Sequence, residues 1–227
     1  MKERSNYKAT WEQLARSMEE AKIHVAGYTA EPELDKTARH TIQILAQTVG
    51  IQATDTILEI GCGIGRVGKL LSPMCQKWIG TDISRTMLTH AQKRLAGLKN
   101  IELIELQTVG LNGISENSVD MVYCTVVFMH LLEWDRYRYV LDSFRILKPG
   151  GRCFFDNVDI LSPHGWKVFM AGFACPPSKR PPHLSMVSSG DELKTYALKA
   201  GFTQVQIHRW DEAWVGVTGV KSREEAL

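Results

Sequence analysis

From residue 56 onward the chain alternates short apolar runs with stretches of helical periodicity. The apolar runs are 56–60, 77–81, 101–106, 119–125 and 152–157. Between them, apolar positions recur at three- and four-residue spacing over about 65–71, 84–98 and 133–147, and Pro149-Gly150-Gly151 ends the last of these. Alternation of this kind predicts an α/β fold with a parallel sheet between helical layers. The runs carry few polar interruptions, as strands buried on both faces do. The last section breaks the alternation. A capping box at Ser189-Gly-Asp-Glu192 starts a helix that stops before Gly201. Runs 203–210 and 213–220 then read as two strands joined by a turn at Asp211-Glu212. Such a hairpin places at least one strand antiparallel to its neighbour. The expectation is a three-layer αβα sandwich around a mostly parallel seven-stranded sheet with an antiparallel C-terminal hairpin strand.

Ahead of the first strand, Thr10-Trp-Glu-Gln13 fits a capping box, and Trp11, Leu14, Ala15 and Met18 follow at helical spacing. After the loop Gly27-Tyr-Thr-Ala-Glu-Pro32, a second helix over 33–49 puts Leu34, Ala38, Ile42 and Leu45 on one face. Residues 1–52 therefore read as a helical cap on a domain spanning 53–227. Residues 158–188 stand apart. They include Cys175-Pro-Pro-Ser-Lys-Arg-Pro-Pro182, which excludes a regular helix there. A long structureless stretch in a compact domain is expected to serve as a lid or binding loop.

Composition narrows the function classes. A chain of 227 residues, 44% hydrophobic and 23% charged, is long enough for one well-filled core. A net charge of +2 gives no field for nucleic acid. No apolar run reaches membrane-spanning length, and Met1-Lys-Glu-Arg-Ser-Asn opens no signal-peptide core. The five cysteines are odd in number and lack zinc-site spacing, so reduced thiols and a cytoplasmic location are expected. Neither a nucleic-acid nor a membrane partner is expected, and the chain is read as a monomer or homodimer.

The candidate chemistry begins where the first strand stops. Residues 57–66 read Ile-Leu-Glu-Ile-Gly-Cys-Gly-Ile-Gly-Arg. Gly63, Gly65 and Gly68 satisfy G-x-G-x-x-G, a dinucleotide pattern that is weak alone. Because the strand ends at Ile60, the preferred register starts at Gly61 and runs Gly61, Gly63, Gly65. These residues let the backbone pass close to a ligand. Glu59 would repel a pyrophosphate there and suits a ligand with positive charge. Asp82 ends the second strand. The plainer alternatives are a tight strand-to-helix turn, an Asp82 that caps the helix at Ser84, and a Cys62 that packs beneath the turn.

Taken in order, these motifs resemble those of the class I S-adenosylmethionine-dependent methyltransferases over roughly residues 35–220. Glu59 to Gly65 is similar to the family's first motif, and Asp82 to the acid that holds both ribose hydroxyls. Ile83 stands where an apolar side chain covers the adenine. Ser115-Glu-Asn-Ser-Val-Asp120 and Leu147-Lys-Pro-Gly-Gly-Arg152 resemble the approaches to strands four and five. Ala200-Gly-Phe202 and the hairpin resemble the family's end. The chain departs from the family after strand three, where Gln107-Thr108-Val109 replaces Gly-Asp-Ala, so a neutral hydroxyl faces the adenine amino group. The resemblance implies S-adenosylmethionine as cofactor and S-adenosylhomocysteine as product. It implies cofactor contacts from Glu59, Gly61, Cys62, Gly63, Gly65, Arg66, Asp82, Ile83, Met87, Thr108, Val109, Cys124 and Thr125.

Methyl transfer from a sulfonium is an in-line displacement, so the protein mainly aligns the acceptor and excludes water. His130, just beyond the fourth strand, is the candidate base or positioning group; a purely structural histidine is the alternative. Asp156-Asn157 resembles the magnesium-binding pair of catechol-type O-methyltransferases, but Cys124-Thr-Val-Val-Phe128 offers no third carboxylate. No metal is expected, and hydrogen bonding to substrate is preferred for the pair. Tyr28, His130, Asp156, Asn157 and Trp166 form the candidate acceptor site. The reading is transfer to a small-molecule O, N or S acceptor. Its rivals are a protein or RNA methyltransferase, a non-catalytic S-adenosylmethionine-binding regulator, and a dinucleotide enzyme.

Overall fold

The computed structural model describes residues 6–223; residues 1–5, on which the reading of the N-terminus rests, and 224–227 lie outside the described residues. Three helices come first: α1 (Tyr7–Leu14), α2 (Met18–Ala26) and α3 (Glu31–Thr48). The expected first cap moves. Asn6, not Thr10, caps α1, its side chain accepting from the Ala9 amide. A full capping box forms instead at Ser17 and Glu20, which starts α2 and splits the expected first helix in two. Pro32 fits the first turn of α3, where its missing N–H costs nothing, so that helix begins two residues before the expected position.

The strands are β1 (Thr56–Ile60), β2 (Lys77–Asp82), β3 (Ile101–Glu105), β4 (Val119–Cys124), β5 (Leu147–Val158), β6 (Thr203–Trp210) and β7 (Trp214–Val220). They form one seven-stranded sheet in the order β3-β2-β1-β4-β5-β7-β6. β1 to β5 run parallel; β7 is antiparallel to β5, and β6 to β7. The connecting helices are α4 (Gly68–Leu71), α5 (Arg85–Arg94), α6 (Glu133–Ile146), α7 (Pro163–Ala174) and α8 (Gly190–Ala200). Strand alternation sorts the side chains into two cores. Ile57, Met121, Tyr123 and Phe154 pack with α3, α4 and α5 on one face. Leu58, Ile60, Val122 and Phe155 pack with α6 and α8 on the other. This is the three-layer arrangement.

Two departures bear on function. Residues 158–188 are not structureless: Pro163 and the Ser162 hydroxyl, which accepts from the Gly165 amide, nucleate α7. The Pro-rich part beyond it lacks an α-helix. The chain after it returns to the sheet, where Asp159 pairs with Ser188. Among the described residues no helix is long and apolar enough to cross a membrane.

Candidate functional site

The strand order reverses at β1, whose neighbours β2 and β4 lead to opposite halves of the sheet. A crevice therefore opens beyond the carboxyl ends of β1 and β4, where ligands bind in open α/β sheets. The glycine turn lies in it. Gly61 and Gly63 have φ of +68° and +53°. A Cβ on Gly61 would lie 2.5 Å from Val127, and one on Gly63 would lie 2.8 Å from Val25 of α2. Both positions thus exclude side chains twice, by backbone conformation and by space. The register that starts at Gly61 is the one in the structure. Cys62 packs beneath the turn, where its sulfur would lie 2.8 Å from a Cβ at Gly80, while also bordering the crevice. Burial raises its thiol well above the ordinary range, so it is not a nucleophile at neutral pH.

Asp82 is fixed from both sides. The Gly63 amide donates to Oδ2 at 2.9 Å and the Ser84 amide to Oδ1 at 2.8 Å. A carboxylate offers about four lone-pair sites, so each oxygen retains acceptor capacity, and the side chain lines the crevice. Burial pushes Asp82 up to about 6, although its backbone hydrogen bonds pull it down. Ser84 caps α5 with its own hydroxyl. Asp82 is therefore more than a helix cap: it ties the glycine turn to β2.

Deeper in the crevice, Glu59 accepts a hydrogen bond from the Tyr123 hydroxyl, which accepts in turn from the Trp78 indole at 3.3 Å. Burial lifts Glu59 to about 7 despite Tyr123 and the nearby Arg66 guanidinium. Asp156 is likewise lifted to about 7 by burial. It accepts from the Val126 amide at 2.8 Å. Val126 has φ of +62°, a strained conformation for a β-branched residue. The bend it makes directs Thr125, Val126 and Val127 along the crevice floor. Two buried polar atoms here have no protein partner, Arg66 Nε and Thr125 Oγ1. Unmet donors and acceptors in a crevice fit a polar ligand.

Two clefts meet at this point. The inner one holds nine of the expected cofactor residues: Glu59, Gly61, Cys62, Gly63, Arg66, Asp82, Ile83, Met87 and Thr125. Four lie off it. Gly65 turns against Leu95, and Cys124 is wholly within the core. Thr108 is exposed and accepts from Asn112 at 3.3 Å, while Val109 packs on the core. Leu106 occupies the cleft position next to β3 instead. Residues 107–114 form bends and turns, which carry Thr108 away from the cleft.

The outer cleft shares Arg66, Thr125, Val126 and His130 with the inner one and adds Tyr28 and Asp156. Asn157 and Trp166 line neither. The Asn157 amide is used internally, donating to Ser188 Oγ at 2.8 Å and accepting from the Val158 amide. Trp166 stacks on Phe169 of α7 at 5.2 Å. Among the described residues no group of three His, Cys, Asp or Glu side chains is placed to hold a metal ion.

His130 sits at the junction, in a short turn over Phe128–His130. Its Nδ1 lies 3.0 Å from the His183 carbonyl. A carbonyl only accepts, so Nδ1 carries the proton and Nε2 the lone pair of the neutral ring. The Trp11 ring meets the imidazole edge-on at 5.0 Å. Arg136, buried, holds this turn by donating to the Phe128 carbonyl at 2.8 Å and to Ser188 Oγ at 2.7 Å. Sequence reasoning missed Tyr7, Trp11, His24 and Val25, which roof the clefts from α1 and α2. Helical periodicity assigned Trp11 to packing; only the fold brings it to the site.

Residues 58–155 match the sequence family described as a methyltransferase domain. A probable S-adenosylmethionine-dependent methyltransferase of Mycolicibacterium smegmatis is 32% identical over 97 residues, 42% of this chain and 35% of that protein. Phosphoethanolamine N-methyltransferase 1 of Caenorhabditis elegans is 28% identical over 148 residues, 65% of this chain and 30% of that one. The chain thus spans only about a third of the length of these curated relatives. Among solved structures, phosphoethanolamine N-methyltransferase 1 of Haemonchus contortus, in complex with phosphoethanolamine and S-adenosylhomocysteine, superposes with a TM-score of 0.65. It is 17% identical and covers 98% of this chain and 50% of that one, a likeness of fold.

Proposed function

We propose that this chain, which belongs to the class I S-adenosylmethionine-dependent methyltransferases, transfers the cofactor's methyl group to a small molecule held in the outer cleft. S-adenosylmethionine supplies a methyl group already activated on a sulfonium. The residues present fit that cofactor: Asp82 keeps acceptor capacity for ribose hydroxyls, the glycine turn admits close approach, and Glu59 offers a buried carboxyl to positive charge. Leu106 and Ile83 form the apolar part of the same cleft, suited to the adenine.

The observation that carries the reading is His130, which stands at the junction of the two clefts with Nδ1 held against the His183 carbonyl. His130 accepts the acceptor's proton, while Asp156, Tyr28 and Arg66 orient the acceptor. A small molecule is favoured because the site is roofed. α1 and α2 cover it on one side, and on another Met186 donates its amide to the Met129 carbonyl at 2.7 Å. The test is incubation with methyl-labelled S-adenosylmethionine and a cell extract separated by size. Label should enter the small-molecule fraction. Label confined to the protein or RNA fraction would overturn the choice of acceptor, and no transfer at all would overturn the enzyme reading.

The raised carboxyls make a further expectation. A buried acid with a folded value near 7 is about half protonated at neutral pH. Positive charge docking beside Glu59 favours its ionised form, so cofactor binding releases protons and tightens as pH rises through neutrality. Calorimetric titration in buffers of different ionisation enthalpy should show release of about half a proton at neutral pH. The effect should vanish in Glu59→Gln. Binding heats independent of buffer would rule out this placement of the cofactor's charge.

A further inference from the structure

Helix α7 is apolar but almost unburied. Of its twelve residues only Gly165 is buried. Trp166, Phe169, Met170 and Phe173 stand exposed at i, i+3, i+4 and i+7, and Leu161 is exposed just before them. That spacing gathers the side chains on one helix face. Monomeric proteins seldom leave such a face bare, and contiguous apolar patches mark interaction sites.

The root of the helix is fixed. A Cβ at Gly165 would collide with the Asp159 carbonyl oxygen, so the first turn of α7 sits hard against the end of β5. The apolar face thus cannot be turned inward by rotating the helix in place.

Charge says what covers it. Between Ile160 and Gly190 the chain carries Lys167, Lys179 and Arg180 and no Asp or Glu. Arg180 stands at the α7 C-terminus, donating to the Gly172 and Cys175 carbonyls. One carboxylate, Glu133 of α6, borders the groove behind Phe169 and Phe173. A second copy of this chain would face these cations with the same cations. An anionic surface would meet them with opposite charge, while the aromatic and aliphatic side chains enter an apolar layer.

We propose that α7 and the basic segment after it form an interfacial docking site for an anionic lipid surface. The helix lies in the plane of the bilayer, with Trp166, Phe169 and Phe173 below the headgroups and Lys167 and Lys179 among them. The arrangement is peripheral, consistent with a twelve-residue helix that is far too short to span. The segment beyond α7 returns to the outer cleft through Ser185, so docking would bring the cleft mouth near the surface.

The test is cosedimentation of the full chain with vesicles. Equimolar phosphatidylcholine and phosphatidylglycerol should bind at least about tenfold more protein than pure phosphatidylcholine, with the difference shrinking as salt is raised. Phe169→Ser with Phe173→Ser should abolish sedimentation while leaving S-adenosylhomocysteine binding by calorimetry unchanged, which reports an intact fold. Absence of binding to either vesicle would overturn the proposal. So would binding that survives in the double variant. A dimer in light scattering that dissolves in the double variant, without vesicle binding, would assign the face to a second copy instead.

Discussion

Asp82→Ala should weaken S-adenosylhomocysteine binding by on the order of a hundredfold or more. The carboxylate is 8% exposed and held by two backbone amides, so its remaining lone pairs have a fixed direction into the inner cleft. Hydrogen bonds to a charged group contribute about 1.5–3 kcal/mol each, and about 1.4 kcal/mol is a factor of ten. Losing two ribose contacts therefore costs about two decades. Alanine also frees the Gly63 amide from β2, which loosens the turn that the cofactor must approach. Helix α5 keeps its own Ser84 cap, so the variant should fold. Asp82→Asn retains one side-chain acceptor and should fall between. The sign of the pH effect follows from a value lifted to about 6. Protonation below it removes an acceptor, so affinity falls as pH drops through that value. Full affinity in a folded Asp82→Ala protein, measured by calorimetry, would sink the placement of the ribose.

Much of this site was legible because its constraints are local. A strand that stops at Ile60 before alternating glycines can only turn sharply, and an acid ending the next parallel strand must lie beside that turn. Strand registers carry Glu59, Asp82 and Asp156 to the same edge of the sheet. What stayed hidden depends on long-range packing. Trp11 looks like an ordinary core residue on α1, yet it meets His130 across 119 positions of chain. The Val126 strain leaves no mark in sequence, because the Asp156 carboxylate that accepts from its amide comes from the adjacent strand. Thr108 follows β3 in a loop, where chain length alone does not fix position. Trp166 is expected at the acceptor site within a long structureless stretch; the Ser162 cap and Pro163 instead make that stretch a helix.

His130→Ala should lower kcat/KM by about a hundredfold to a thousandfold, within the ~10²–10⁴ range of general-base contributions. The loss should fall mainly on kcat, since S-adenosylmethionine binding rests on the inner cleft. The structural alternative is that His130 only tethers the segment around His183 through its Nδ1 proton. His130→Asn separates the two, because an asparagine amide can still donate from near the Nδ1 position but supplies no base at the position of Nε2. If the tether is the whole contribution, asparagine restores the rate. If proton acceptance is the contribution, asparagine is as slow as alanine while S-adenosylhomocysteine affinity stays at the wild-type level. A loss below about tenfold in both variants would remove His130 from the chemistry and leave the acceptor's proton to Asp156, an outer-cleft carboxyl that burial lifts to about 7.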